Sequence, residues 1–99
     1  FKAVNDEYGH DIGDKVLKEF SRILEENVRE SDIVVRYGGE EFIVLLVGVD
    51  SMDVSLNIAN KIREKVRENE IDVYAGAKLR KTVSIGLSMF LRTQILLRV

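Results

Sequence analysis

The chain has no cysteine, no proline, one histidine and one glutamine among 99 residues. Without cysteine there is neither a disulfide framework nor a thiolate metal site, which suits a reducing, cytoplasmic setting. His10 alone cannot assemble a zinc cluster. Nothing in the way of proline, low-complexity sequence or internal repeats divides the chain, so it reads as one continuous domain without linkers. No apolar run approaches the roughly 18–20 residues of a membrane span, and the opening Phe1-Lys2-Ala3-Val4-Asn5-Asp6 lacks the pattern of a signal peptide, so a soluble domain is expected. Neither charge predominates: 15 basic and 17 acidic residues, net -2, leave no electrostatic footprint for a nucleic acid polymer. A small anion held by a few residues stays open. The charged share of 32% fits a heat-adapted source and many ordinary proteins equally well.

What is present is enough for one core. At 45% hydrophobic residues the chain can fill a single small domain, which limits the search to one site. From Lys15 to Val28, Val16, Leu17, Phe20, Ile23, Leu24 and Val28 recur at three- and four-residue spacing, the mark of one helix face. Ile33 to Tyr37 and Glu40 to Val47 are β-rich runs separated by Gly38-Gly39, which predicts a hairpin with a two-residue turn using the positive φ that glycine permits. The second run is apolar on both faces after Phe42, as a strand inside a sheet should be. Val54, Ile58, Ile62 and Val66 step by four and predict a second amphipathic helix from Asp53 to Glu68. Ile71 to Tyr74 reads as a short strand before a turn at Gly76, and Thr82 to Phe90 alternates like a half-buried strand. Helices with a mostly antiparallel sheet predict an α/β (α+β) sandwich resembling the ferredoxin-like βαββαβ class.

The hairpin also carries candidate chemistry. A turn without side chains lets backbone N–H groups approach a phosphate, and an adjacent carboxylate can hold Mg²⁺ against it. A plain hairpin with exposed acids would look the same from Gly38-Gly39-Glu40-Glu41-Phe42 alone.

Three segments together resemble the GGDEF family of diguanylate cyclases: Phe1-Lys2-Ala3-Val4-Asn5-Asp6 with Gly9-His10-Asp11-Ile12-Gly13-Asp14, then Arg36-Tyr37-Gly38-Gly39-Glu40-Glu41-Phe42, then Thr82-Val83-Ser84-Ile85-Gly86. The resemblance covers nearly all of residues 1 to 90. It implies a nucleotidyl-cyclase-like fold in which Glu40 binds metal and Glu41 lies beside it at the catalytic centre. Asn5 and Asp14 fall at guanine-contacting positions, where a carboxylate accepts from guanine N1–H and its amino group while an amide both donates and accepts. Asp14 could instead, or also, cap a helix starting at Lys15. Phe1 and Lys2 match the end of a phosphate-cradling loop, and Gly38 and Gly39 the close approach of the turn. Arg29 and Asp32 match a product-inhibition site whose second cation falls at Lys61; a helix-ending arginine and a strand-opening aspartate are the simpler alternative.

The resemblance further implies two Mg²⁺ per GTP site, GTP as substrate, cyclic di-GMP as product, a homodimer for catalysis and an upstream sensor domain, with no nucleic acid polymer and no membrane segment in residues 1–99. Against the family's pattern the chain reads as a single partial domain. A metal-binding aspartate of a strand ahead of Phe1 and a C-terminal helix with phosphate-gripping basic residues have no counterpart, and the tail at 91–99 is atypical, open to reading as a sheet strand, an artefact or a diverged end. The expectation is a cyclase domain of bacterial second-messenger signalling that is catalytically incomplete over these residues; the alternative is a non-catalytic module that binds cyclic di-GMP or dimerises.

Overall fold

Helical periodicity begins earlier in the fold than at Lys15. In the computed structural model, which describes residues 2–49, 51–89 and 93–98 and the side-chain surroundings of 2–49 and 51–88, α1 spans Lys2–Tyr8 and α2 spans His10–Asn27. Gly9 breaks the chain between them with φ 88°, a left-handed value that favours glycine, while its N–H donates back to the Asn5 carbonyl at 2.9 Å. Asp14 therefore lies inside α2, and no side chain caps the helix start, which corrects the capping role expected of Asp14. The physical reason is a small second cluster: Ile12 and Val16 are buried with Val4 of α1 and Ile71, so the extra turn carries its own apolar contacts. Lys2 likewise stands in the first turn of α1 and not in a loop. Phe1 lies outside the described residues.

Strand β1 (Ile33–Arg36) pairs antiparallel with β2 (Glu41–Leu46), with Val35 opposite Ile43 and Arg36 opposite Phe42. The connection is not a two-residue turn. Tyr37 and Gly38 both donate their N–H to the Glu41 carbonyl, at 2.8 and 3.2 Å, leaving Gly38, Gly39 and Glu40 to round the corner. Neither glycine takes a positive φ; among the described residues the positive values fall at Gly9, Gly48, Ala75 and Gly76. One carbonyl collecting two successive N–H groups bends the chain without left-handed residues, so the expected reason for the two glycines does not hold.

Helix α3 (Met52–Glu68) starts at Ser51, whose hydroxyl accepts from the Asp53 N–H at 3.2 Å, and ends with Lys65 and Arg67 in its last turn, where cations suit the helix dipole. Strands β3 (Ile71–Asp72) and β4 (Lys78–Leu79) form a separate small hairpin. Its 3₁₀ turn, Tyr74–Gly76, places both Ala75 (φ 58°, ψ 31°) and Gly76 (φ 76°) in left-handed conformations, and Ala77 N–H closes it onto the Tyr74 carbonyl at 3.2 Å. Strands β5 (Ser84–Met89) and β6 (Thr93–Arg98) complete a four-stranded antiparallel sheet in the order β1-β2-β6-β5. Of the alternatives open for the tail, a sheet strand is the one found: β6 takes a central position, hydrogen-bonded to β2 on one side and β5 on the other. Phe90, Leu91, Arg92 and Val99 lie outside the described residues.

The α+β expectation holds. β2 lies inside the sheet, as its two apolar faces require, and turns Phe42, Val44 and Leu46 toward the helices. There they bury against Leu17, Phe20, Ile23 and Leu24 of α2 and Ala59, Ile62 and Val66 of α3. Phe20 meets Phe42 edge to face, ring centroids 4.8 Å apart, a favoured geometry for aromatic quadrupoles. That contact sets α2 against the start of β2, next to the glycine loop.

Candidate functional site

An open cleft of about 400 Å³ separates α2 from the hairpin, lined by Asp14, Leu17, Lys18, Ser21, Arg36 and Phe42. The helix contributes positions 14, 17, 18 and 21, the three- and four-residue spacing that puts side chains on one helix face. Leu17 and buried Phe42 form its apolar part, while Asp14, Lys18 and Arg36 supply charge of both signs. Such a mixture suits a flat polar ring and an anionic chain on one molecule. Of the residues marked in the sequence, only Asp14 lines this cleft as a ligand candidate. The sequence signal for Leu17, Lys18 and Ser21 is their three- and four-residue spacing onward from Asp14, whereas Arg36 and Phe42 reach the cleft only through the fold.

The glycine loop sits at the hairpin end beside the cleft. A Cβ added at Gly39 would meet nothing within 4 Å, and one at Gly38 would meet only the Glu41 Cβ at 3.9 Å, an ordinary contact. Neither φ nor neighbouring atoms require glycine at either position. Arg36 braces this loop from β1: its Nε–H donates to the Gly38 carbonyl at 3.1 Å and an Nη–H to the Gly39 carbonyl at 2.7 Å. Glu40, in the loop, and Glu41, the first residue of β2, are both half-buried.

Asn5 is half-buried on α1 and is not part of the cleft lining; its backbone carbonyl serves the α1–α2 break. Lys2 is exposed on α1. Lys61 lines a different groove, about 450 Å³, between α2 and α3, together with Arg22, Glu26, Asn27 and Lys65; neither Arg29 nor Asp32 lines it.

Arg29 and Asp32 form a tight local unit. The Asp32 carboxylate accepts from the Arg29 backbone N–H at 2.8 Å, from Arg29 Nε at 3.2 Å and Nη at 3.0 Å, and from the Val47 N–H at 3.0 Å. Its side chain is 1% exposed, whereas that of Arg29 is 55% exposed. Burial pushes the Asp32 carboxyl up, but the Arg29 guanidinium and the two backbone N–H groups outweigh burial and hold it below the usual aspartate range. Arg29 also donates to the Val47 carbonyl, so the pair ties the α2–β1 turn to the end of β2. The Val47 backbone groups that complete the unit stand 15 residues from Asp32, beyond the reach of local sequence spacing.

Among the described residues no group of three or more His, Asp or Glu side chains is placed to hold an ion. Mg²⁺ is commonly held by one or two carboxylates with the rest of its oxygens from water and substrate phosphate. Glu40, the carboxylate that follows Gly39 in the loop, is of the chemical type such a role uses.

The antiparallel sheet, the helices on one face and the Gly38-Gly39-Glu40-Glu41-Phe42 hairpin define an α+β domain of the GGDEF type. The chain belongs to the GGDEF family: residues 1–96 match the family model described as "Diguanylate cyclase, GGDEF domain". Diguanylate cyclase A of Treponema denticola is 44% identical over 90 residues, covering 91% of this chain and 24% of that protein. Response regulator PleD of Caulobacter vibrioides is 47% identical over 89 residues, covering 89% and 19%. A solved Pseudomonas aeruginosa structure comprising only the GGDEF domain of TpbB (YfiN) superposes with a TM-score of 0.74 at 37% identity, over 80% of this chain and 45% of that one. The chain thus spans about a quarter or less of the curated relatives it matches. Among the described residues no helix is long and apolar enough to cross a membrane.

Proposed function

We propose that this domain acts as a diguanylate cyclase. Two copies, each holding one GTP, face each other; the 3′-hydroxyl oxygen of each GTP bonds to the α-phosphorus of the other, each α–β phosphoanhydride breaks, and two pyrophosphates leave with cyclic di-GMP. The observation that carries the reading is the loop at Gly38 and Gly39, where glycine is required by neither φ nor packing, so the missing side chains leave room for something outside the chain. A phosphate is the natural occupant, because the Gly39 N–H would meet it and a carboxylate follows directly at Glu40 for its cation.

In this reading Asp14 and Asn5 select guanine over adenine, Lys2 and Phe1 belong to the phosphate loop, and Glu40 and Glu41 lie at the reacting centre. Two Mg²⁺ ions, when bound, would offset phosphate charge and acidify the attacking hydroxyl. Lys18, one turn from Asp14, adds a cation for the nucleotide's phosphates. Product inhibition through Arg29, Asp32 and Lys61 would engage the exposed Arg29 guanidinium, with Asp32 holding it in place. A cytoplasmic setting, a sensor elsewhere in a longer protein and a role in bacterial signalling complete the proposal.

Calorimetric titration with GTP plus Mg²⁺, with ATP plus Mg²⁺ and with cyclic di-GMP separates the readings, alongside a turnover assay. GTP bound in preference to ATP, with that preference lost in Asp14→Ala, is the expected result. Binding of cyclic di-GMP without any binding of GTP would replace the cyclase reading with that of a product-binding module.

A further inference from the structure

We propose that Arg36 is a positioning residue that clips the Gly38-Gly39 loop into its anion-receiving conformation. The inference rests on the cyclase reading for its ligand but on the hairpin's geometry for its mechanism. Two consecutive glycines would ordinarily make the loop the least ordered part of the hairpin, since glycine has the largest conformational freedom to lose. Here one planar guanidinium donates in parallel to two consecutive carbonyls, Gly38 at 3.1 Å and Gly39 at 2.7 Å. With the Glu41 carbonyl receiving Tyr37 and Gly38 N–H, both ends and both middle peptides of the loop are held.

The orientation follows from peptide planarity. In a trans peptide the C=O and the following N–H point in opposite directions, and no cis peptide occurs among the described residues. Pinning the Gly38 carbonyl on Arg36 turns the Gly39 N–H away from the guanidinium; pinning the Gly39 carbonyl does the same for the Glu40 N–H. The Gly39 N–H takes no partner among the described residues. A cation bonded to the carbonyl also polarises the peptide, strengthening its N–H as a donor. Arg36 thereby aims the Gly39 N–H outward and adds positive potential behind it. Lysine in its place would keep the charge but lose the fork that reaches two carbonyls at once.

The test uses the 99-residue chain with Arg36→Lys and Arg36→Gln. ¹⁵N relaxation at the Gly38 and Gly39 amides should give order parameters near about 0.85 in the wild type and below about 0.6 in both variants, with the unfolding temperature unchanged. Titration with GTP and Mg²⁺ should shift the Gly39 amide in the wild type and require about tenfold more nucleotide in Arg36→Lys, the scale of one lost charge-assisted hydrogen-bond pair. Order parameters unchanged in both variants would overturn the proposal, as would a loosened loop that binds GTP undiminished. A wild-type chain that binds no GTP would sink the cyclase reading, while the relaxation data would still judge the clip.

Discussion

Replacing Gly39 with alanine separates what the loop does for the fold from what it does for a ligand. At this position the added Cβ meets no atom within 4 Å, and the backbone is outside the positive-φ region where alanine is strained. The folded state should accept it at no cost. The unfolded chain loses freedom, so Gly39→Ala is expected to stabilise the protein by about 0.4–1 kcal/mol, a rise of roughly 2–8 °C in unfolding temperature for a domain of this size. Ligand binding should move the other way. A methyl group placed where a phosphate must come close is an overpacking problem of about 1–3 kcal/mol, or roughly 5- to 150-fold weaker binding. Thermal unfolding by circular dichroism and calorimetric titration with GTP and Mg²⁺ measure the two sides on one sample. A variant that binds GTP as tightly as the wild type would refute the argument that these glycines leave room for a ligand; a variant destabilised by more than about 1 kcal/mol would show that the loop needs glycine for its own conformation.

The remaining expectations concern stability. Asp32→Ala leaves the Val47 and Arg29 N–H groups without their acceptor and should cost about 2–4 kcal/mol in denaturant unfolding, far more than substitution of an exposed acid. Because the folded-state Asp32 carboxyl is held below its unfolded value of about 3.9, its contribution is present above that pH and is lost as pH falls through the lower folded value; an Asp32→Asn variant should show a shallower loss of stability on acidification, and an unchanged acid limb would contradict the assignment. Ala75→Asn makes the Asn-Gly pair that left-handed two-residue turns prefer and should raise the unfolding temperature, by about 1 kcal/mol of relieved strain; a fall would mean that the turn is not left-handed at Ala75. Leu24→Ala, at a fully buried core position, should cost about 2–5 kcal/mol.

Much of the architecture can be read along the chain because it depends on short-range repetition. The face of α2 from Val16 to Leu24 follows the 3.6-residue period; that of α3 holds at Ile62 and Val66 but turns at its start to buried Ser55 and Ala59 and leaves Val54 exposed, and β2 shows its interior place through apolar residues on both sides. The hairpin around Gly38-Gly39-Glu40-Glu41-Phe42 is equally local, and the family is legible once that segment is read together with those at Phe1 to Asp14 and Thr82 to Gly86. The pairing of Arg29 with Asp32 is also a matter of spacing along the chain.

Other features needed the folded chain. Helix α2 starts at His10 and not at Lys15 because Ile12 is buried with Val4 of the preceding helix and with Ile71, which is distant in sequence. The loop contains three residues because one carbonyl, that of Glu41, receives two N–H groups, a choice that the glycines by themselves leave open. The tail strand β6 reaches the middle of the sheet through backbone bonds to two strands that its own residues do not identify. The Val47 N–H joins Asp32 across 15 residues and anchors a buried carboxylate whose partner Arg29 stays exposed. Composition and periodicity determine which faces must be buried and where the chain can turn; which distant groups complete each hydrogen bond and fill each apolar contact is settled only when the elements pack, because those energies exist only between surfaces brought together by the tertiary fold.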